Sequence, residues 1–260
     1  MNTVLVLAIL LFLLMRAVGG RKGTKSFIAL FMNFVVLVLT VLFMSHSTFD
    51  LLVLTVLACT AVSWINLFFV NGVSDKTITA FLSTWVTVVL MIPLILFVTR
   101  RAMIQGFPEE EMHELNVFSF FVGIDFIEVA TAVILMSTIG AIIDIAISIS
   151  SPMNEIIRQE PSISRKRLFQ AGMAIGRDIL GTSVNTLLFA FLGSYMALLI
   201  WFLDLNYTFG EMVNAKVFSA ETITILSAGI GLTVVIPITC AITALFLDRA
   251  RNKGRIRQEE

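Results

Sequence analysis

Apolar residues along this chain come in continuous blocks, each about long enough to cross a hydrocarbon core of roughly 30 Å as a helix. Phe34-Val35-Val36-Leu37-Val38-Leu39 shows the pattern. It lacks the period-two alternation of a barrel strand, so helices are predicted. Seven spans follow, over residues 2–15, 26–44, 51–70, 78–98, 118–149, 179–203 and 221–246. They predict an all-α polytopic transmembrane helix bundle, one integral membrane domain over 1–260. The first span is short. Its positive charges follow the apolar run instead of preceding it, and no small-residue cleavage site comes after, so a retained anchor is expected over a cleaved signal.

Two connections are longer than the rest. The one over 99–117 contains Gly106-Phe107-Pro108, which breaks helix, and then an acidic run. The other, 150–178, is punctuated by Pro152 and Pro161. Within it Ile163, Leu168, Phe169, Gly172 and Met173 lie opposite Arg165, Lys166 and Arg167. That pattern predicts a short amphipathic helix lying on the inner membrane surface. Residues 247–260 form a basic tail. Pro93 and Pro237 fall mid-span and predict kinks that membrane neighbours accommodate.

Composition agrees. The chain is 58% hydrophobic and 14% charged, against about a quarter charged in soluble domains. Net charge is zero, which removes the electrostatic case for nucleic acid. The distribution of lysine and arginine is more telling. With 16–25 placed inside, the inner segments hold 15 of the 18 and the outer ones only Arg100, Arg101 and Lys216. The positive-inside rule then puts the N-terminus outside and the C-terminus in the cytoplasm. Cys59 and Cys240 lie within apolar spans and read as small buried hydrophobes, not a disulfide framework.

Catalytic and cofactor motifs are missing. Gly19-Gly20-Arg21-Lys22-Gly23-Thr24-Lys25-Ser26 misses a phosphate-binding loop, because no glycine directly precedes the lysine and no strand comes before it. His46 and His113 sit far apart in outer loops, which gives no metal site. No two catalytic groups at matching depth can be identified, so an enzyme is not expected.

Candidate chemistry lies in the fifth and sixth spans. The fifth carries Asp125, Glu128 and Asp144, and acids at membrane depth are expensive. Asp125 and Glu128 share a face. Asp144 lies about 100° around an ideal helix from Asp125, so the three do not form one stripe. The outer pair belongs near the outer interface and Asp144 on the inner half. Asp144 reads either as a proton or cation carrier or as a structural acid with a buried partner. In the sixth span Thr182, Asn185 and Thr186 share a face, beside Gly181, Ser183, Gly193 and Ser194. They read either as interhelical packing or as a polar relay that meets Asp144. Asn33, Ser63 and Asn66 read as isolated packing contacts.

The runs Gly140-Ala141-Ile142-Ile143-Asp144-Ile145-Ala146-Ile147-Ser148-Ile149-Ser150 and Gly176-Arg177-Asp178-Ile179-Leu180-Gly181-Thr182-Ser183-Val184-Asn185-Thr186 resemble the YibE/F family of bacterial membrane proteins, in its YibF-like half. The resemblance implies the bacterial cytoplasmic membrane and a second, YibE-like membrane subunit, with a homo-oligomer the other option. More distantly, the chain is similar to the transmembrane half of SecD, SecF and the resistance–nodulation–division (RND) transporters. That similarity implies a six-helix half plus one extra N-terminal span. Asp144 would then stand at the proton-relay acid, with Thr182, Asn185 and Thr186 in the polar start of the next helix. Two departures stand out. The loop Ser45–Asp50 replaces a sizeable extracytoplasmic domain, and Ile145 follows Asp144 where a polar residue is common. The expected function is an ion-coupled transport or export subunit. The alternatives are an ABC-type permease docking a coupling helix over 168–176, and a scaffold without flux.

Overall fold

The computed structural model describes residues 2–44, 50–104, 106 and 125–252. Among these the regular structure is entirely helical. The helices are α1 (Asn2–Met44), α2 (Leu51–Trp64), α3 (Asp75–Ala102), α4 (Phe126–Gln159), α5 (Arg165–Asp204), α6 (Phe209–Asn214) and α7 (Lys216–Asn252). A π-helical turn, Ile65–Phe69, continues α2. All but α6 are long and apolar enough to cross a membrane. The acidic run after Phe107, both histidines and residues 253–260 of the basic tail lie outside the described residues.

Helix α1 is not one rod. Gly20 has φ 55° and ψ −132°, a conformation open to glycine and closed to most side chains. A continuous helix would hold Phe12 and Phe27 about 22 Å apart, yet their ring centroids are 5.0 Å apart. The chain therefore folds back at Gly20 into two antiparallel arms. A Cβ at Gly23 would run into the Met15 carbonyl, so glycine also permits the close approach of the arms. Arg16 donates to Thr24 Oγ1 across the bend at 3.4 Å. The arms correspond to the expected first two spans, but 16–25 is a helical bend at one residue and not a loop.

The 150–178 segment differs more. Helix α4 runs through Pro152 to Gln159, a turn covers 160–164, and α5 begins at Arg165 and continues unbroken to Asp204. Ser164 caps α5, its Oγ accepting from the Arg167 N–H at 3.3 Å. No separate surface helix lies between 150 and 178. The apolar side of that segment is buried against protein: Gly172 lies on Met153 and Cys240, and Gly176 on Ile149 and Ile236. An amphipathic pattern records an apolar neighbour without saying whether it is lipid or helix. Here α4 and α7 extend past the expected membrane boundary and supply it.

Helix α4 is the centre of the bundle, packed chiefly against α3 and α7. Ile142, Ile149 and Met153 are fully buried there. The α3 face toward the core carries Thr77, Ala80, Ser83, Thr84 and Thr87, all buried. Ser83 and Thr87 donate to the Thr79 and Ser83 carbonyls at 2.7 and 2.8 Å, so those two hydroxyls satisfy themselves within the helix, while the Thr84 Oγ1 is buried without a partner among the described residues. Small side chains then let the backbones approach closely. Ser150 Oγ of α4 donates to the Lys76 carbonyl in the first turn of α3 at 3.0 Å, which ties α4 to the start of α3.

Candidate functional site: a polar cleft at Asp144

Helix α4 turns Ile142, Ile143, Ile145 and Ala146 into the core. Asp144 is left on the side facing the second arm of α1 and the π-helical turn. There it lines a cleft of about 260 Å³ with Lys22, Ser26, Asn66 and Asn71, walled by Leu67 and Ile147. Asp144 lies six residues, about 9 Å along the axis, from the Ser150 level where α4 meets the start of α3.

Each lining residue is placed by local structure. Lys22 and Ser26 follow the Gly20 bend one turn apart, and Ser26 Oγ donates to the Lys22 carbonyl at 3.0 Å. Asn66 sits in the π-helical turn, a device often found where a helix serves a site. Its Nδ2 donates to the Val62 carbonyl at 2.9 Å, and Asn71 Nδ2 donates to the Asn66 carbonyl at 2.9 Å. Asn33 on the second arm donates to Asn66 Oδ1 at 3.2 Å and ties the arm to the turn. Gly72, with φ 76°, ends this segment. Ser74 then opens α3 with a capping box to Thr77.

Asp144 and Lys22 are the two charged side chains lining the cleft, alongside the Ser26 hydroxyl and the Asn66 and Asn71 amides. A carboxyl lining such a cleft can take up and release a proton.

The other candidates lie elsewhere. Asp125 caps the far end of α4, its carboxylate accepting from the Ile127 N–H at 2.8 Å. Glu128 is in the first turn, where an acid complements the helix dipole. It is about 24 Å along the helix from Asp144. Thr182, Asn185 and Thr186 are exposed on α5. Thr182 and Thr186 donate to the Ile179 and Thr182 carbonyls of their own helix at 2.9 and 2.8 Å. Leu180, Val184 and Leu187 pack inward instead. The expected meeting of this polar face with Asp144 is therefore not formed. Spacing showed a shared face but not which face turns inward, and the apolar surfaces of α4 and α7 take the apolar one.

Lys22, Ser26, Asn66 and Asn71 were not singled out as partners of Asp144. Their signals were present, since Lys22 and Ser26 directly follow a Gly-Gly pair and Asn66 and Asn71 bracket an apolar run. A larger cavity of about 730 Å³ lies at the other end of the bundle, walled by residues such as Leu37, Val41 and Val133. Glu221 is the charged residue of its wall.

A family model described as YibE/F-like protein matches residues 7–249. No curated protein and no solved structure matches the chain.

Proposed function

The chain belongs to the YibE/F-like family, and from that premise we propose that it is the membrane subunit of a proton-coupled transport or export assembly in the bacterial cytoplasmic membrane, with Asp144 as the coupling acid. One observation carries the reading. An acid in the middle of a 34-residue apolar helix faces a polar cleft with a cation in it, instead of being paired off inside the core. Intramembrane acids facing such cavities typically serve ion pathways.

The lysine and arginine asymmetry puts the N-terminus outside and the C-terminus in the cytoplasm. In that orientation the cleft opens toward the inner side, because Lys22 and Asn71 belong to inner segments. The ionised Asp144 carboxylate attracts Lys22, and protonation removes that attraction. Lys22 rides on an arm that starts at the Gly20 bend, so proton uptake and release would shift the arm between two positions. A second membrane subunit of the YibE type would supply the extracytoplasmic part of the path.

The segment 168–176, which would dock an ATPase in the permease reading, is the packed start of α5, with Leu168 and Gly172 buried. That counts against the alternative. The test is proton flux in proteoliposomes holding the purified assembly, compared with Asp144→Asn. Loss of flux with unchanged assembly is expected, and full flux in the variant would remove Asp144 from the mechanism.

A further inference from the structure

Helix α5 is the barest of the six long helices among the described residues after its first turns. In its most apolar window 6% of residues are buried, against 56% for α4 and 50% for α7. That bare surface is not uniformly apolar. Asn185 is exposed on it, at membrane depth, with no hydrogen-bond partner among the described residues. Lipid offers an amide no partner, and an unpaired amide in hydrocarbon costs several kcal/mol, so this face calls for protein.

The pattern around Asn185 indicates what kind. Asn185, Phe189, Leu192, Met196, Leu199 and Leu203 follow one another at alternating steps of four and three. Thr182 extends the series one step toward the N-terminus. That is the repeat of two helices supercoiled left-handedly around each other, with Asn185 at a seam position. Phe189, Met196 and Leu203 are 68%, 57% and 67% exposed and Leu192 and Leu199 half-buried, so one flank of the seam is open in the single chain.

We infer that this seam is a docking surface for a second copy of the chain, packed α5 to α5 with the two Asn185 amides paired across the twofold axis. Two copies inserted the same way into one membrane place Asn185 at the same depth automatically. An asparagine amide both donates and accepts, so it is complementary to itself. Isologous pairing therefore needs no further coincidence of sequence. A single polar residue at a seam position is also the known way to set register in such pairs. This inference does not depend on any flux through the Asp144 cleft.

The test uses the full chain in native membranes, in a Cys59→Ala, Cys240→Ala background. Single cysteines are placed on the seam (Phe189→Cys, Met196→Cys, Leu203→Cys) and at exposed positions beside it (Ala190→Cys, Ala197→Cys), and the membranes are oxidised. Disulfide-linked dimers of the chain are expected from the seam set and not from the flanking set. Asn185→Leu, in the otherwise unchanged chain, should raise the dimer dissociation constant measured in micelles about tenfold, the value of roughly one interhelical hydrogen bond. Equal cross-linking at both sets, or an unchanged dissociation constant in Asn185→Leu, would overturn the inference. So would seam cysteines that link only to a different protein.

Discussion

Asn33 and Asn66 are hydrogen bonded across two helices, the Asn33 Nδ2 donating to the Asn66 Oδ1 at 3.2 Å, while the Asn33 Oδ1 is buried without a partner among the described residues. The pair is therefore lopsided. Asn66→Leu strands the whole Asn33 amide and also loses the bond to the Val62 carbonyl. Asn33→Leu removes the stranded oxygen along with the bond, and the Asn66 amide it leaves behind still donates to the Val62 carbonyl and lines the polar cleft. Leaving a buried polar group unpaired costs about 1–3 kcal/mol, so Asn66→Leu should be the more destabilising change and Asn33→Leu should cost under about 1 kcal/mol. Unfolding in mixed micelles distinguishes them, and equal costs would show that the stranded oxygen carries no penalty.

Close helix contact gives a second prediction. A Cβ at Gly176 would collide with Ile236 Cγ2, part of a β-branched side chain with little rotamer freedom. At Gly172 it would meet Met153 Sδ at 2.5 Å and Cys240 Sγ at 2.9 Å, and the flexible methionine can turn aside. Gly140 has nothing within 4 Å. Gly176→Ala should then cost about 1–3 kcal/mol from overpacking and Gly172→Ala less. Gly140→Ala should stabilise by up to about 1 kcal/mol through helix propensity. The same unfolding measurement ranks all three, and a destabilising Gly140→Ala would contradict the packing at that face.

The helices and their membrane character were legible because continuous apolar blocks have one physical reading. What misled was the assumption that charged or proline-bearing stretches end a helix. Lys166 and Arg167 sit in the first turn of α5 and Pro152 inside α4, since a membrane helix can continue into the polar region as long as its apolar side has a neighbour. Asp144 was legible as a candidate because of its cost at that depth. Its surroundings were not, because they come from Lys22, Ser26, Asn66 and Asn71 on two elements far away in sequence. Only the fold-back at Gly20 and the π-helical turn bring these residues to α4.

The short α6 carries a pH dependence of its own. The Glu211 carboxylate accepts from the Thr208 N–H at 2.7 Å and from the Thr208 hydroxyl at 2.8 Å. The backbone bond first, and then the hydroxyl, hold its carboxyl below the usual range. A lowered value in the folded state means the cap contributes above the ordinary carboxylate pKa and is lost as pH falls through the folded one. A nitroxide at Val213→Cys should therefore loosen as pH is lowered from about 6 through and below the ordinary carboxylate range. It should already be loose at about pH 6 in Glu211→Gln. Equal mobility in the two proteins at the upper pH would show that the cap does not hold the helix.

Lys22 provides the last prediction, made on the proposed transport role. It shares the Asp144 cleft from a different helix. Its long stem starts two residues after the Gly20 bend, so its charge can follow a moving arm. Removing the charge with Lys22→Met leaves the carboxyl in place but takes away what its ionised form attracts. The interaction across a wet cleft is on the order of 1 kcal/mol, which corresponds to about a fivefold fall in proton flux. Asp144→Asn, by contrast, should abolish the flux. Lys22→Arg keeps the charge and should recover most of it. Pore polarity alone predicts otherwise, with Lys22→Gln keeping the flux as Lys22→Arg does and only Lys22→Met losing it. Flux from vesicles loaded with a pH-sensitive dye, measured for all four variants at one imposed gradient, separates coupling through charge from a cleft that merely lets water in.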